Sequence, residues 1–208
     1  EMDKYGFRGV AFVITGRIGM DNYHLTWTDL DSLKRDGWDI SSHTMTHPNL
    51  AALTATDIER ELKGSQRALA ARGFSKGSRF LATPEDAYND TVLQKAAEIY
   101  TATRTGGGIE TLPLVNTNLL RAKGVSTRID LATVQSWIAL AKKYHEWLIL
   151  GFHDITASTP SSPNDCTLVD FRAILRSIHD AGLTTVTFSD LADHGWFSEK
   201  AGYYGGSR

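Results

Sequence analysis

The 208-residue sequence predicts an α/β fold with parallel strand pairing in one domain, residues 1–208. Three observations predict it. Short apolar or β-branched runs alternate with amphipathic helical patterns along the whole chain. The run 147–152 is continuously apolar, as expected of a strand buried on both faces. No linker, repeat or low-complexity tract interrupts the alternation.

The elements follow in order. Residues 1–5 read as the last turn of a helix, with Gly6 at the left-handed position after it, so the sequence reads as starting inside an element. Residues 10–15 predict a strand, 27–36 a short helix, and 38–41 a second strand that runs into a histidine-rich loop. Thr56 with Glu59 in capping-box position starts a strong helix. Ile58, Leu62, Ala68 and Leu69 form its apolar stripe and Gly73 ends it. Residues 80–82 predict a strand, 90–99 a helix, and 100–103 a strand stopped by Gly106, Gly107 and Gly108. In the second half, 131–145 and 168–181 predict helices, and 147–152 and 184–188 predict strands.

Composition excludes several classes. Hydrophobic residues make up 41% of the chain, enough for one substantial core, and 22 Lys and Arg against 24 Asp and Glu leave a net charge of −2. No positive excess is available to neutralise a nucleic-acid backbone or to coat an anionic membrane. The apolar runs 9–14 and 147–152 are far short of the roughly 20 residues of a membrane-spanning helix. The single cysteine, Cys166, excludes an internal disulfide and a multi-cysteine metal cage, and leaves the compartment open. No basic segment, apolar core and cleavage site stand at the start.

Chemistry in parallel α/β chains concentrates after the C-terminal ends of strands. The sharpest such segment is Ser41-Ser42-His43-Thr44-Met45-Thr46-His47-Pro48. Pro48 disfavours helical geometry at His47, so the two histidines sit on a turn rather than on a helical HExxH motif. Two imidazoles from one turn suit a borderline-soft divalent ion such as Zn²⁺; a hydrogen-bonding role for both is the alternative. His153, after the run 148–152, is either a general acid oriented and desolvated at a strand mouth or a structural histidine. Arg79, ahead of 80–82, is either a surface charge or a buried partner for a carboxylate in the site.

Three segments carry a resemblance. Ser-His-Thr-Met-Thr-His-Pro at 42–48, Arg-Phe-Leu-Ala-Thr-Pro at 79–84 and Leu-Ile-Leu-Gly-Phe-His-Asp at 148–154 come in the order and approximate spacing of three motifs of the polysaccharide deacetylases. These are the NodB-homology enzymes, or carbohydrate esterase family four. The chain resembles them over nearly its whole length, and the resemblance implies a distorted (β/α)7 barrel that removes N- or O-linked acetyl groups from a carbohydrate with a divalent metal ion. Zn²⁺ heads the implied metals, with Co²⁺ and Ni²⁺ as alternatives. By motif match, His43 and His47 would be metal ligands and His153 the general acid. Arg79 would orient the catalytic base, and the backbone N–H of Glu85 would help to hold the oxyanion. A secreted or cell-envelope location is also what the resemblance favours.

Departures from the pattern qualify the expected activity. The family's Thr-Phe-Asp-Asp-Gly motif, source of the base and of a third metal ligand, is absent from these residues and would lie upstream of Glu1. The expected barrel therefore lacks its first strand, either by truncation or as a natural variant. Exposed strand edges, 10–15 among them, would then invite pairing with a second copy. Glu85 and Asp86 replace the family's Tyr-Gly, as solvated loop residues in preference to substitute ligands. Asp130 and Trp137 have the wrong spacing for the family's Asp-and-Trp motif and receive no role. Besides the metal-dependent deacetylase, two readings remain: an esterase acting on small acetyl or aryl esters, and a carbohydrate-binding homologue with impaired catalysis. Losing a general base costs about 10²–10⁴ in rate, which an activated ester tolerates better than an amide.

Overall fold

The structure is a computed structural model that describes residues 1–108, 110–111 and 116–197. In chain order the strands and helices are β1 (Val10–Val13), α1 (Trp27–Arg35), β2 (Asp39–Ser42), α2 (Ala55–Ala71), β3 (Phe80–Ala82), α3 (Asp90–Ala97), β4 (Ala102–Gly106) and β5 (Glu110–Thr111). There follow β6 (Leu120–Gly124), α4 (Leu131–Tyr144), β7 (Glu146–Trp147), β8 (Leu150–Gly151), β9 (Ile155–Thr156), β10 (Cys166–Thr167), α5 (Leu168–Asp180) and α6 (Phe188–Asp193). These elements fall into two compact units. Among the described residues, one comprises 8–105, 116–120 and 186–197, the other 1–7, 106–108, 110–111 and 121–185.

The first unit is a run of parallel pairs. β1 pairs with β2 from Val10 opposite Asp39 to Val13 opposite Ser42, β2 with β3 at Ser42 opposite Leu81, and β3 with β4 from Phe80 opposite Ala102 to Ala82 opposite Arg104. Parallel pairing follows from the helices that return the chain between strands, as the alternation predicts. Two apolar clusters cover the strands. Leu50, Ile58, Leu62, Leu81, Val92, Ala96 and Tyr100 form one, and Val13, Leu30, Ile40, Leu69 and Phe74 the other. Helix α2 contributes to both, because Ile58, Leu62 and Leu69 recur on one face, and each fully buried aliphatic side chain is worth roughly 1.5–3 kcal/mol.

In the second unit β6 pairs with β8 in parallel, β9 with β10 in parallel, and β5 with β7 antiparallel. Its core joins Phe7, Val125, Val134, Ile138, Cys166, Phe171, Ile174 and Leu175. The expected left-handed Gly6 is found, at φ 67°, after a 3₁₀ turn over Met2–Tyr5. Among the described residues, no helix is long and apolar enough to cross a membrane.

Three expectations need correction. Helix α2 is capped by Thr54 rather than Thr56. The Thr54 hydroxyl accepts from the Asp57 N–H and donates to the Asp57 carboxylate, so the earlier Thr-x-x-Asp pair forms the cap in place of Thr56 and Glu59. The run 147–152 is not one strand buried on both faces. Trp147 pairs with Glu110 while Leu150 and Gly151 pair with Lys123 and Gly124, and the residues between are only half-buried where the chain changes partner. Residues 184–188 form no strand. Thr187 and Asp190 make a full capping box that starts α6 at Phe188, so a local cap overrides the β-branched character of Thr184, Thr185 and Val186.

Helix caps also set a pH dependence. Hydrogen bonds hold three carboxyls below their ordinary range: from the Thr26 hydroxyl to Asp29, from the Thr54 hydroxyl to Asp57, and from the Thr133 N–H to Asp130. A carboxyl depressed in the folded state stabilises the fold above its unfolded pKa, and that stabilisation is lost as pH falls through the folded value. The urea midpoint is therefore expected to stay level down to about pH 5 and to fall below about pH 4, where unfolded aspartates protonate. An unchanged midpoint at about pH 3 would contradict this account of the caps.

Candidate functional site

The histidine turn begins where β2 ends. The His43 N–H donates to the Val13 carbonyl at 2.9 Å, continuing the β1–β2 ladder by one residue, after which the chain leaves the sheet. Thr44 and His47 then take positive φ values of 67° and 65°. Each is an unfavourable conformation for a residue with a side chain, costing on the order of 1–3 kcal/mol unless the surroundings enforce it.

Those surroundings are specific. Thr44 Oγ1 accepts from the His47 N–H at 3.0 Å, and Ser42 Oγ accepts from the Thr44 N–H at 3.2 Å. From the segment after β1, the Thr15 N–H donates to the Thr44 carbonyl at 3.1 Å and the Gly16 N–H to the Met45 carbonyl at 2.9 Å. A Cβ at Gly16 would lie 2.6 Å from that same Met45 oxygen, so only glycine permits this approach. From α2, the Glu61 carboxylate accepts from the N–H groups of Met45 and Thr46, both at 2.9 Å, and from the Thr46 hydroxyl at 2.8 Å. Ser65 Oγ accepts from Ser42 Oγ at 2.8 Å, and Tyr100 Oη donates to the Leu62 carbonyl at 2.8 Å while lying 2.9 Å from Ser42 Oγ. Burial pushes the Tyr100 phenol well above its usual range, so it stays a neutral donor.

Both imidazoles are half-buried, with ring centroids 4.8 Å apart and planes at 80°. His43 Nδ1 lies 2.8 Å from the Ala82 carbonyl. A carbonyl only accepts, so Nδ1 carries a proton, and in the neutral ring the lone pair is on Nε2. A metal-binding histidine usually donates its other ring N–H to an acceptor in this way, which fixes the tautomer and the ring orientation. The donor set suits a borderline divalent ion as two of its ligands. Among the described residues, no group of three or more His, Cys, Asp or Glu could hold a metal ion.

Beyond β3 the chain enters Thr83-Pro84-Glu85-Asp86, with Glu85 at φ 56° and Asp86 at φ 52°. Both are exposed loop residues, as expected, and each carboxylate also has a protein partner. Glu85 Oε2 accepts from Asn49 Nδ2, two residues beyond His47, at 3.2 Å, and Asp86 Oδ1 accepts from Arg104 at 2.8 Å. Arg104 stands opposite Ala82 in the β3–β4 register, and its guanidinium lies 5.6 Å from the Phe12 ring centroid. Burial lowers its pKa, an effect opposed by the attraction of Asp86.

The structure thus gathers His43, His47 and the Glu85 loop at the C-terminal ends of β2 and β3. It does not bring Arg79 there. Arg79 precedes β3 and lies at the strand's other end, where it donates to the Lys76 carbonyl at 3.0 Å and to Asp193 at 3.4 Å. The arginine beside the Glu85 loop is Arg104. His153 belongs to the second unit and is exposed, not desolvated, because the short pair β6–β8 ends at Gly151 and the chain beyond it leaves the core. Sequence reading missed Glu61, Ser65 and Arg104. Glu61 and Ser65 interrupt the otherwise apolar stripe of α2, and that interruption was the available signal.

Residues 2–102 match the polysaccharide deacetylase family. YxkH of Bacillus subtilis (strain 168), named as a polysaccharide deacetylase, is 32% identical over 97 residues, which are 47% of this chain and 34% of YxkH. The chain therefore spans about a third of the length of that relative. Among solved structures, the Xyl-CE4 domain of a multidomain xylanase from the hindgut metagenome of Trinervitermes trinervoides superposes with a TM-score of 0.59 at 19% identity, over 93% of this chain and 80% of that one. A Bacillus anthracis CE4 family pseudoenzyme, BA3943, gives a TM-score of 0.60 at 14% identity, over 91% of this chain and 57% of that one. At these identities the likeness is one of fold, and the fold is the (β/α) barrel type of carbohydrate esterase family four.

Proposed function

From the premise that this chain is a homologue of the polysaccharide deacetylases, we propose that it is a metal-dependent hydrolase that removes acetyl groups from a carbohydrate. One observation carries the reading. Two imidazoles stand with centroids 4.8 Å apart on one strained turn, and the Nδ1–H of His43 is directed at a backbone carbonyl. His43 and His47 would hold the ion. When bound, such an ion polarises an acetyl carbonyl and lowers the pKa of water.

The chain's own residues supply the rest. The backbone N–H of Glu85, in the loop that follows β3, is the proposed donor toward the developing oxyanion, and Asn49 fixes that loop through the Glu85 carboxylate. Arg104 fixes the same loop through Asp86. The acid role of His153 is included on the motif match alone.

A second reading is favoured by the lack of a three-donor group among the described residues: a carbohydrate-binding domain of impaired turnover. Acetate release decides between the two. The chain with added Zn²⁺ is expected to release acetate from acetylated sugar oligomers, to stop when chelator removes the ion, and to recover when Zn²⁺ is restored. Undiminished release from the metal-free chain would reject metal dependence. Binding of the oligomers without any release would support the second reading. Turnover of 4-nitrophenyl acetate alone would reduce the function to ester hydrolysis.

A further inference from the structure

We infer that Glu61 is the positioning residue for the His43–His47 pair, an inference that rests on reading these imidazoles as the metal-holding pair. Glu61 is on the face of α2 that otherwise buries Ile58, Leu62 and Leu69, and only 6% of it is exposed. A carboxylate placed there is unfavourable unless its oxygens are occupied. Here they are. Oε2 accepts from two consecutive backbone N–H groups and Oε1 from a hydroxyl, and all three donors belong to Met45 and Thr46.

Those two residues lie between the histidines, and the turn they form departs from ordinary backbone conformations at Thr44 and His47. Such a turn does not hold itself in place. A rigid helix of 17 residues can impose it. The same helix face supplies two further contacts. Ser65 bonds Ser42 at the base of the turn, and Gly64 makes room for the Met45 side chain, whose sulfur occupies the space a Cβ would take. Glu61, Gly64 and Ser65 are one cradle, with the carboxylate as its polar centre.

The test begins with the metal-free chain, so that ring geometry is read apart from metal binding. Nuclear Overhauser contacts between the imidazole protons of His43 and His47 are expected in the native chain and in Glu61→Gln, whose amide oxygen can still accept both N–H groups and whose NH₂ can donate to Thr46. They are expected to be lost in Glu61→Ala. Leu69→Ala, a cavity in the neighbouring cluster, controls for general destabilisation and is expected to keep them. In zinc titrations Glu61→Ala should bind about 10- to 100-fold more weakly than the native chain, as loss of an outer-shell partner does elsewhere, and Glu61→Gln should restore most of the affinity. Should Glu61→Ala fail to fold, Glu61→Asp, which withdraws the carboxylate by one methylene, takes its place with the same expected direction. Ring contacts in the Glu61 variant indistinguishable from those in Leu69→Ala would overturn the inference. A native chain that binds no zinc would instead overturn the metal reading, and the ring contacts would still decide the role of Glu61.

Discussion

His47→Asn is expected to weaken Zn²⁺ binding by at least about 100-fold, because loss of a direct ligand should cost no less than the 10- to 100-fold typical of losing an outer-shell partner. Asparagine is chosen over alanine because His47 has a φ of 65°, and asparagine is among the residues that tolerate that conformation. The hydrogen bond from the residue 47 N–H to Thr44 Oγ1 involves only backbone on one side and should survive the change. What disappears is one of two imidazoles. His43→Ala should match the affinity loss and also remove the Nδ1–H bond to Ala82, adding a modest destabilisation of about 0.5–1.5 kcal/mol. Isothermal titration with Zn²⁺, paired with thermal unfolding, separates the two consequences. Native affinity in both variants would place any metal elsewhere in the chain.

Phe80→Ala is expected to cost about 3–5 kcal/mol, the largest stability effect of any single truncation proposed for this chain. Phe80 is fully buried on β3. Its ring meets Phe188 edge-on at 5.4 Å and Phe197 at 5.8 Å, and Arg79 lies over it at 5.3 Å. Truncation removes the ring and leaves a space that β3 and α6, fixed by hydrogen bonds of their own, can close only in part. A denaturant midpoint shifted by less than about 1 kcal/mol equivalent would mean that Phe188 and Phe197 collapse into the gap. The cost is comparable to much of a domain's net stability, so the zinc titration of this variant is best made at low temperature.

Part of this protein could be read from the chain alone. Capping residues, glycines and apolar spacing act between neighbours, so the β1–α1–β2–α2–β3–α3 order, Gly6 and the turn character of 43–48 were legible. Sequence reading failed where a partner decides the outcome. The run 147–152 was apolar throughout, yet it divides between an antiparallel partner at Glu110 and a parallel one at Lys123. The Thr184–Phe188 segment looked like a strand, and a capping box four residues long made it a helix start.

The candidate site divides along the same line. The sequence determined that His43 and His47 flank a turn after a strand, because Pro48 and the preceding apolar residues act over a few positions. Only the tertiary structure decided which groups hold that turn. Glu61, Ser65 and the Ala82 carbonyl come from 15 to 39 residues away, and Arg104 rather than Arg79 meets the Glu85 loop because the β3–β4 register sets Arg104 opposite Ala82, the last residue of β3, whereas Arg79 precedes the first. Hydrogen bonds of this kind depend on which helix face and which strand end meet, and that is set by packing rather than by spacing along the chain.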